Sequence, residues 1–241
     1  MRVAVAGGTG LVGKLVVTGL SAAGHEPVVL ARSAGVDLTT GAGLAERLAG
    51  CGAVVDVTNV VTMRRAAAIE FFTKATGNLV TAAREAGAGH VIALSIVGID
   101  RAKLGYYQGK LAQERVVAES GVPYTILRAT QFFEFPVPLL AHRFPIAAMP
   151  RMLSQPVAAA DVAEAIVELV DTAPTGRTVE IAGPERLRMA EVARRIERAR
   201  GSRRPVLSIP LGRDLASGAL IPQGEHLTGP TTFADYLATV R

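Results

Sequence analysis

Short, almost continuously apolar runs alternate along the chain with stretches in which apolar positions recur every three to four residues. RVAVA (2–6), PVVLA (27–31), AVVDV (53–57), HVIALS (90–95) and PYTIL (123–127) are the apolar runs. That pattern predicts strands covered on both faces. Between them, helical periodicity runs over 11–24, from Thr40 to Ala49 ahead of Gly50, from Met63 to Ala86 ahead of Gly87, and over about 109–119 ahead of Gly121. Thr40 is the expected cap of the short second helix. Strand, helix, strand at this rhythm predicts βαβ units with right-handed crossovers. The expected fold class is therefore α/β, a doubly wound parallel sheet with helices on both faces.

The pattern changes after Arg128. FFEFPVPLLAHRFPIAAMP (132–150) is rich in proline and phenylalanine and reads as an irregular lid or pocket segment. DVAEAIVELV (161–170) predicts a helix with Asp161 at or near its cap, and TVEIAG (178–183) a strand. Residues 189–199 predict a helix with Met189, Val192, Ile196 and Ala199 on one face. Thr232 and Asp235 have capping-box spacing for a last short helix. No repeat or low-complexity linker separates the halves. The expected organisation is a core over 1–130 and a lobe over 131–241 packed on it as one structural unit.

Composition narrows the class. A chain of 241 residues with 49% hydrophobic and 20% charged residues has a sizeable core and is not disordered. The lone Cys51 excludes a disulfide framework, and four scattered histidines with it cannot build a structural zinc site, so no metal is expected. No apolar run is long enough to span a membrane, and the N-terminus lacks the apolar region of a signal peptide. A cytoplasmic protein without a membrane partner is expected. The net charge is +5, and residues 177–213 hold ten arginines against four glutamates. No aromatic residue in that stretch is available to stack on bases, so a solvated arginine face is expected rather than a nucleic-acid partner.

The loop after the first strand carries chemistry. In GGTGLVG (7–13), Gly8, Gly10 and Gly13 fit GxGxxG, and Gly7, Gly10 and Gly13 fit GxxGxxG. Glycines allow the tight turn, let the backbone approach a pyrophosphate and let the helix pack close to the strand. The helix N-terminus then offers N–H groups to phosphate. Following a strand and opening a helix, Gly7, Gly8, Thr9, Gly10, Leu11, Val12 and Gly13 are the expected dinucleotide cradle. The second strand ends in Arg32 and Ser33, with no acid to claim the ribose hydroxyls or repel a phosphate. NADP(H) is expected over NAD(H), because a guanidinium matches phosphate geometry. Asp37 lies further on, as a candidate for the adenine edge.

The fourth strand ends at Ser95, and YYQGK (106–110) follows. Tyr106 and Lys110 are four apart and share a helix face. A nearby ammonium favours phenolate, so the pair suits acid–base work on a carbonyl or alcohol, with a serine hydroxyl to hold the substrate oxygen. Tyr107 packing under the sheet edge is the competing local reading.

Taken in order, AGGTGLVG, VVDVTN, ATGNLVTAAREAG, HVIALSIVG, YYQGK, LRATQF, DVAEAIVEL and EIAGPE resemble the short-chain dehydrogenase/reductase superfamily, most closely its atypical NmrA-like NAD(P)-binding branch. The resemblance covers most of the chain. It implies a Rossmann core with a small C-terminal substrate-binding lobe. It implies Ser95, Tyr106 and Lys110 as the catalytic serine, tyrosine and lysine, with Lys110 also on the nicotinamide ribose. It places Thr58 and Asn59 in the loop lining the cofactor and Gln131 and Phe132 beside the nicotinamide. Asn78 falls where relatives carry an asparagine, and a helix-packing amide is the equal alternative. The gap from Ser95 to Tyr106 is shorter than compact dehydrogenases show. Together these readings lead to an NADPH-dependent reductase of a small apolar carbonyl or quinone. The alternatives are an NADP(H) sensor without catalysis and an isomerase or epimerase on the same scaffold. A homodimer and a monomer are both compatible with the apolar helices flanking the sheet.

Overall fold

The computed structural model describes residues 1–141 and 144–240. In chain order the elements are β1 (Arg2–Ala6), α1 (Leu11–Ala22), β2 (Glu26–Leu30), α2 (Leu44–Leu48), β3 (Cys51–Asp56), α3 (Arg65–Glu85), β4 (His90–Ile96), α4 (Gly105–Ala118) and β5 (Tyr124–Ala129). There follow α5 (Pro136–Leu140), β6 (Ala147–Pro150), β7 (Leu153–Ser154), α6 (Ala159–Val170), β8 (Thr178–Ala182) and β9 (Leu187–Arg188). The chain ends with α7 (Met189–Ala199), β10 (Val206–Ile209), α8 (Arg213–Ala216), β11 (Leu227–Thr228) and α9 (Phe233–Thr239).

Seven strands form one sheet in the order β11-β8-β5-β4-β3-β1-β2. β1 pairs parallel to both β2 and β3, and β3 pairs parallel to β4. The order reverses at β1, so the crevice between the loops after β1 and β3 is where such sheets bind ligands. The apolar runs explain the position: Val3 to Ala6, Val54, Val55, Val91 and Ile92 are fully buried, as strands covered on both faces require. Among the described residues β2 is an edge strand of this sheet. The segment after it makes only an isolated antiparallel bridge, Asp37 to Ala42.

By its internal contacts the chain divides into two compact units. The first comprises Met1–Ser95, Leu104–Arg128 and Val162–Val179, and the second Ile96–Lys103, Ala129–Asp161 and Glu180–Arg241. Residues 96–103 lie with the second unit and 162–179 with the first. The second unit contains the parallel pair β6/β10 and the antiparallel pair β7/β9. On α7, Met189, Val192, Ala193 and Ile196 are buried. Phe133, Phe233 and Tyr236 form an aromatic cluster with centroids 5.2 to 6.1 Å apart.

Several local expectations change. Thr40 does not cap α2; its hydroxyl donates to the Asp37 carbonyl and accepts from the Ala42 amide within a turn. The helix starts after Gly43 instead, because Gly41 and Gly43 take left-handed backbone (φ +81° and +75°) and turn the chain twice first. The helix expected over about 109–119 begins at Gly105, one turn earlier. The irregular 132–150 segment contains α5 and β6. Ala199 is exposed where α7 ends, and Ala193 takes its place on the buried face. Asp161 lies in the first turn of α6 and accepts from the Thr231 amide (3.0 Å) and hydroxyl (2.6 Å). The Thr232/Asp235 capping box forms as expected.

Candidate active site

The loop after β1 is shaped by glycine. Gly7 has φ +81°, and a Cβ on it would stand 2.8 Å from the Val57 carbonyl oxygen and 3.0 Å from the Thr58 amide. The β1 and β3 loops therefore meet at the switch point. A Cβ on Gly13 would stand 2.1 Å from the Gly7 oxygen and 2.6 Å from the Gly8 Cα, so α1 packs against the turn as only glycine allows. Gly10 meets nothing nearer than the Gly7 oxygen at 3.3 Å and accepts from the Lys14 amide. α1 has no side-chain cap and no acid in its first turn. Thr9, Gly10 and Leu11 are exposed, while Gly8, Val12 and Gly13 are buried beneath them. This is a cradle that fits a pyrophosphate: exposed backbone at a helix N-terminus, with no side-chain cap and no carboxylate in the first turn.

Beyond β2, Arg32 and Ser33 are exposed in a single 3-10 turn, Arg32–Ala34. Asp37 is turned to local use: one carboxylate oxygen accepts from the Thr39 amide (2.8 Å) and hydroxyl (2.6 Å). These bonds, with a smaller contribution from Arg32, hold its carboxyl below the usual range. Asn78 donates to the Leu38 carbonyl at 2.8 Å and so pins this loop from α3.

The tyrosine and lysine of YYQGK point to different partners. α4 lies close on α3 because Gly109 has no side chain; a Cβ there would stand 2.7 Å from the Ala68 Cβ. This approach brings the partly buried Tyr106 to the loop after β3, where its hydroxyl donates to the Asn59 side-chain carbonyl at 2.8 Å. Burial pushes the Tyr106 phenol up to about 12. Tyr107 is buried, and burial raises its phenol as well.

Lys110 is buried and turned inward. Its Nζ donates to the Leu94 carbonyl at 2.6 Å and to the Gln113 side-chain oxygen, and lies 4.8 Å from the centre of the Phe72 ring. Desolvation lowers its ammonium to about 8, with Asp56 and Glu114 opposing the shift. Gln113 in turn donates to Asp56 at 2.8 Å. The buried Asp56 carboxylate also accepts from the Thr76 hydroxyl and from the Thr58 amide and hydroxyl, which fixes the start of the β3 loop. Lys110, Gln113, Asp56, Thr76 and Thr58 are thus joined in one hydrogen-bonded network, as a low-dielectric site demands. Ser95 differs: it is 2% exposed at the carboxyl end of β4, and its hydroxyl has no hydrogen-bond partner among the described residues. An unused buried hydroxyl costs about 1–3 kcal/mol, which a ligand atom would offset.

The structure thus brings the glycine loop to Val57 and Thr58, and Asn59 to Tyr106. It does not bring Lys110 to the Tyr106 hydroxyl as a hydrogen-bond partner. Gln131 and Phe132 belong to the second unit. There Gln131 accepts from the Ser154 hydroxyl at 2.8 Å, and Phe132 bridges to Val157. Asp56, Thr76 and Gln113 form a network that the sequence alone does not announce. The signal available was a carboxylate closing an otherwise apolar strand, AVVDV. Among the described residues no cluster of three or more His, Cys, Asp or Glu could hold a metal, and no helix is long and apolar enough to cross a membrane.

A glycine cradle at the switch point of a parallel sheet, opening an uncapped helix, defines a dinucleotide-binding protein. The family model described as NAD(P)H-binding matches residues 7–173, and the chain belongs to that family. No curated protein matches it. Among solved structures it is similar in fold to UDP-N-acetylglucosamine 4-epimerase from Bacillus cereus, at 21% identity and TM-score 0.73, over 100% of this chain and 97% of that one. It is similar to dTDP-4-dehydrorhamnose reductase from Bacillus anthracis in complex with NADP, at 17% identity and TM-score 0.77, over 99% and 98%. It is also similar to an NADPH-dependent quinone oxidoreductase from Escherichia coli, at 18% identity and TM-score 0.69, over 98% of both chains.

Proposed function

We propose that the protein is an NADPH-dependent oxidoreductase that reduces a small apolar carbonyl or quinone, with Tyr106 as the proton donor. The observation that carries this reading is the Tyr106 hydroxyl held on Asn59, in the loop after β3 that the glycine cradle touches through Val57 and Thr58. The bound dinucleotide would supply hydride. Gly7 to Gly13 would hold its pyrophosphate, Thr58 and Asn59 would line it, and Arg32 and Ser33 would receive a 2′-phosphate. An exposed guanidinium with no acid at the end of β2 favours NADP(H) over NAD(H).

Tyr106 keeps its proton at neutral pH, and burial makes its phenol a weaker acid than usual, so the proton would pass only as the substrate oxygen gains negative charge. Asn59 orients that hydroxyl. Ser95, buried and unpartnered, would donate to the same oxygen. Lys110 would act from within, as a buried cation under the β4 end. Its Leu94 and Gln113 bonds also favour a second reading, an NADP(H)-binding regulator without turnover, because Lys110 is engaged by the protein itself.

The test is NADPH consumption with a panel of quinones and apolar ketones. The reductase reading expects turnover with at least one, lost by about a hundredfold or more in Tyr106→Phe. Turnover unchanged by Tyr106→Phe overturns the role of Tyr106. Binding of NADPH with no turnover on any of them supports the regulator.

A further inference from the structure

We infer that the second unit carries an anion site, built on α7, for a small ligand bearing two or more phosphoryl groups. Two clefts, of about 570 and 210 Å³, meet at Arg194. The larger is lined by Arg194, Arg198, Arg203 and Arg204, and the smaller by Arg151, Arg188 and Arg194. Their acids are Glu197 in the larger and Glu191 in the smaller. Six arginines less two glutamates give +4, against +5 for the whole chain. The excess positive charge of the protein is therefore concentrated here, and the rest is close to neutral. An arginine-rich solvated face spread over the surface would not show this focusing.

The site is also preorganised. Glu197 is 5% exposed and is consumed by the loop that follows α7. It accepts from the Ser202 hydroxyl at 2.6 Å and from Arg204 at 2.9 and 3.1 Å. Arg204 also donates to the Leu140 carbonyl at 2.5 Å. That latch fixes the loop bearing Arg203 and removes the one acid that would neutralise the larger cleft. Among the described residues no carboxylate lies within ion-pair distance of Arg151, Arg188, Arg194, Arg198 or Arg203. Arg194 and Arg198 are four apart and share a helix face, with Arg188 before them on the smaller cleft. From Arg188, at the N-cap of α7, to Arg198 is about 15 Å at about 1.5 Å per residue, room for several phosphoryl groups.

The chemistry selects phosphate. Guanidinium forks bind its oxygens in pairs. The clefts hold no aromatic residue for a base to stack on, and the larger, at about 570 Å³, has the volume of a small-ligand site rather than of a nucleic-acid groove.

The test is calorimetric titration of sodium tripolyphosphate into protein saturated with NADP⁺, so that the glycine cradle is filled. One-to-one binding is expected, weakened about tenfold or more by Arg194→Ala, the loss of a charge-assisted donor. Arg194 is exposed, so circular dichroism and NADP⁺ affinity should match wild type in that variant. Arg194→Lys keeps the charge and loses the fork, and is expected to bind weakly. ATP binding at equal strength makes the phosphates the whole ligand; tighter ATP binding means that a nucleoside is read as well. No tripolyphosphate binding, or binding unaffected by Arg194→Ala, overturns the proposal. So does tighter binding of a mixed-sequence RNA oligomer with stoichiometry set by its length.

Discussion

Gly13→Ala is the perturbation that weighs most on the cradle. The added Cβ would stand 2.1 Å from the Gly7 oxygen and 2.6 Å from the Gly8 Cα, both backbone atoms that no rotamer change can move. Ordinary carbon contacts lie at about 3.5–4.0 Å, so α1 must retreat from the turn by more than about 1 Å. Overpacking of this kind costs about 1–3 kcal/mol, a large share of a typical stability of about 5–15 kcal/mol. The same retreat pulls the first turn of α1 away from the phosphates. Gly10→Ala is the control: its backbone has φ −77°, and the new Cβ meets only the Gly7 oxygen at 3.3 Å. Urea titration followed by circular dichroism, with NADPH binding by fluorescence, separates the two. Gly13→Ala should lower the urea midpoint and lose cofactor binding, while Gly10→Ala should stay within about 1 kcal/mol of wild type. Equal stability of the two variants would refute the close-packing argument.

Other outcomes follow from the buried polar groups. Glu114→Ala leaves Arg128 without the carboxylate it grips at 2.7 and 2.8 Å, and should destabilise by about 3–5 kcal/mol in urea titration. Lys110 is held near 8 when folded against 10.5 unperturbed, so above about pH 8 the unfolded chain keeps a proton that the folded chain has released. Stability should therefore rise between about pH 8 and 10.5, and Lys110→Met should flatten that rise in urea midpoints taken across the window. Asp56→Ala strands Gln113, Thr76 and Thr58 together, and should lower both the melting temperature and NADPH affinity. If the melting temperature holds, the network is not what fixes the β3 loop.

The parallel sheet was legible because strands buried on both faces must be apolar throughout, and glycines punctuate each crossover. The cradle was legible for a related reason: Gly7 and Gly13 answer to backbone contacts, which fix residue type regardless of what binds. Side-chain direction was not. Four-residue spacing puts Tyr106 and Lys110 on one helix face, yet the close packing of α4 on α3 at Gly109 decides where each points. Lys110 goes inward to Leu94 and Gln113, and Tyr106 goes to Asn59. The network on Asp56 joins β3, α3 and α4, residues 20 and 57 positions apart, and no local pattern carries such pairings. The turn from Asp37 to Gly43 escaped because Thr40 has the chemistry of a cap, while two left-handed glycines decide where the helix starts.

Paired titrations of NADPH and NADH into the protein, read by nicotinamide fluorescence, test the cofactor assignment most directly. With Arg32 and Ser33 at the end of β2 and no acid there, NADPH should bind about tenfold tighter or more, and Arg32→Ala should erase most of the difference. NADH binding as tightly as NADPH, or neither binding at all, would mean that the loop after β1 and the end of β2 do not serve the dinucleotide described above.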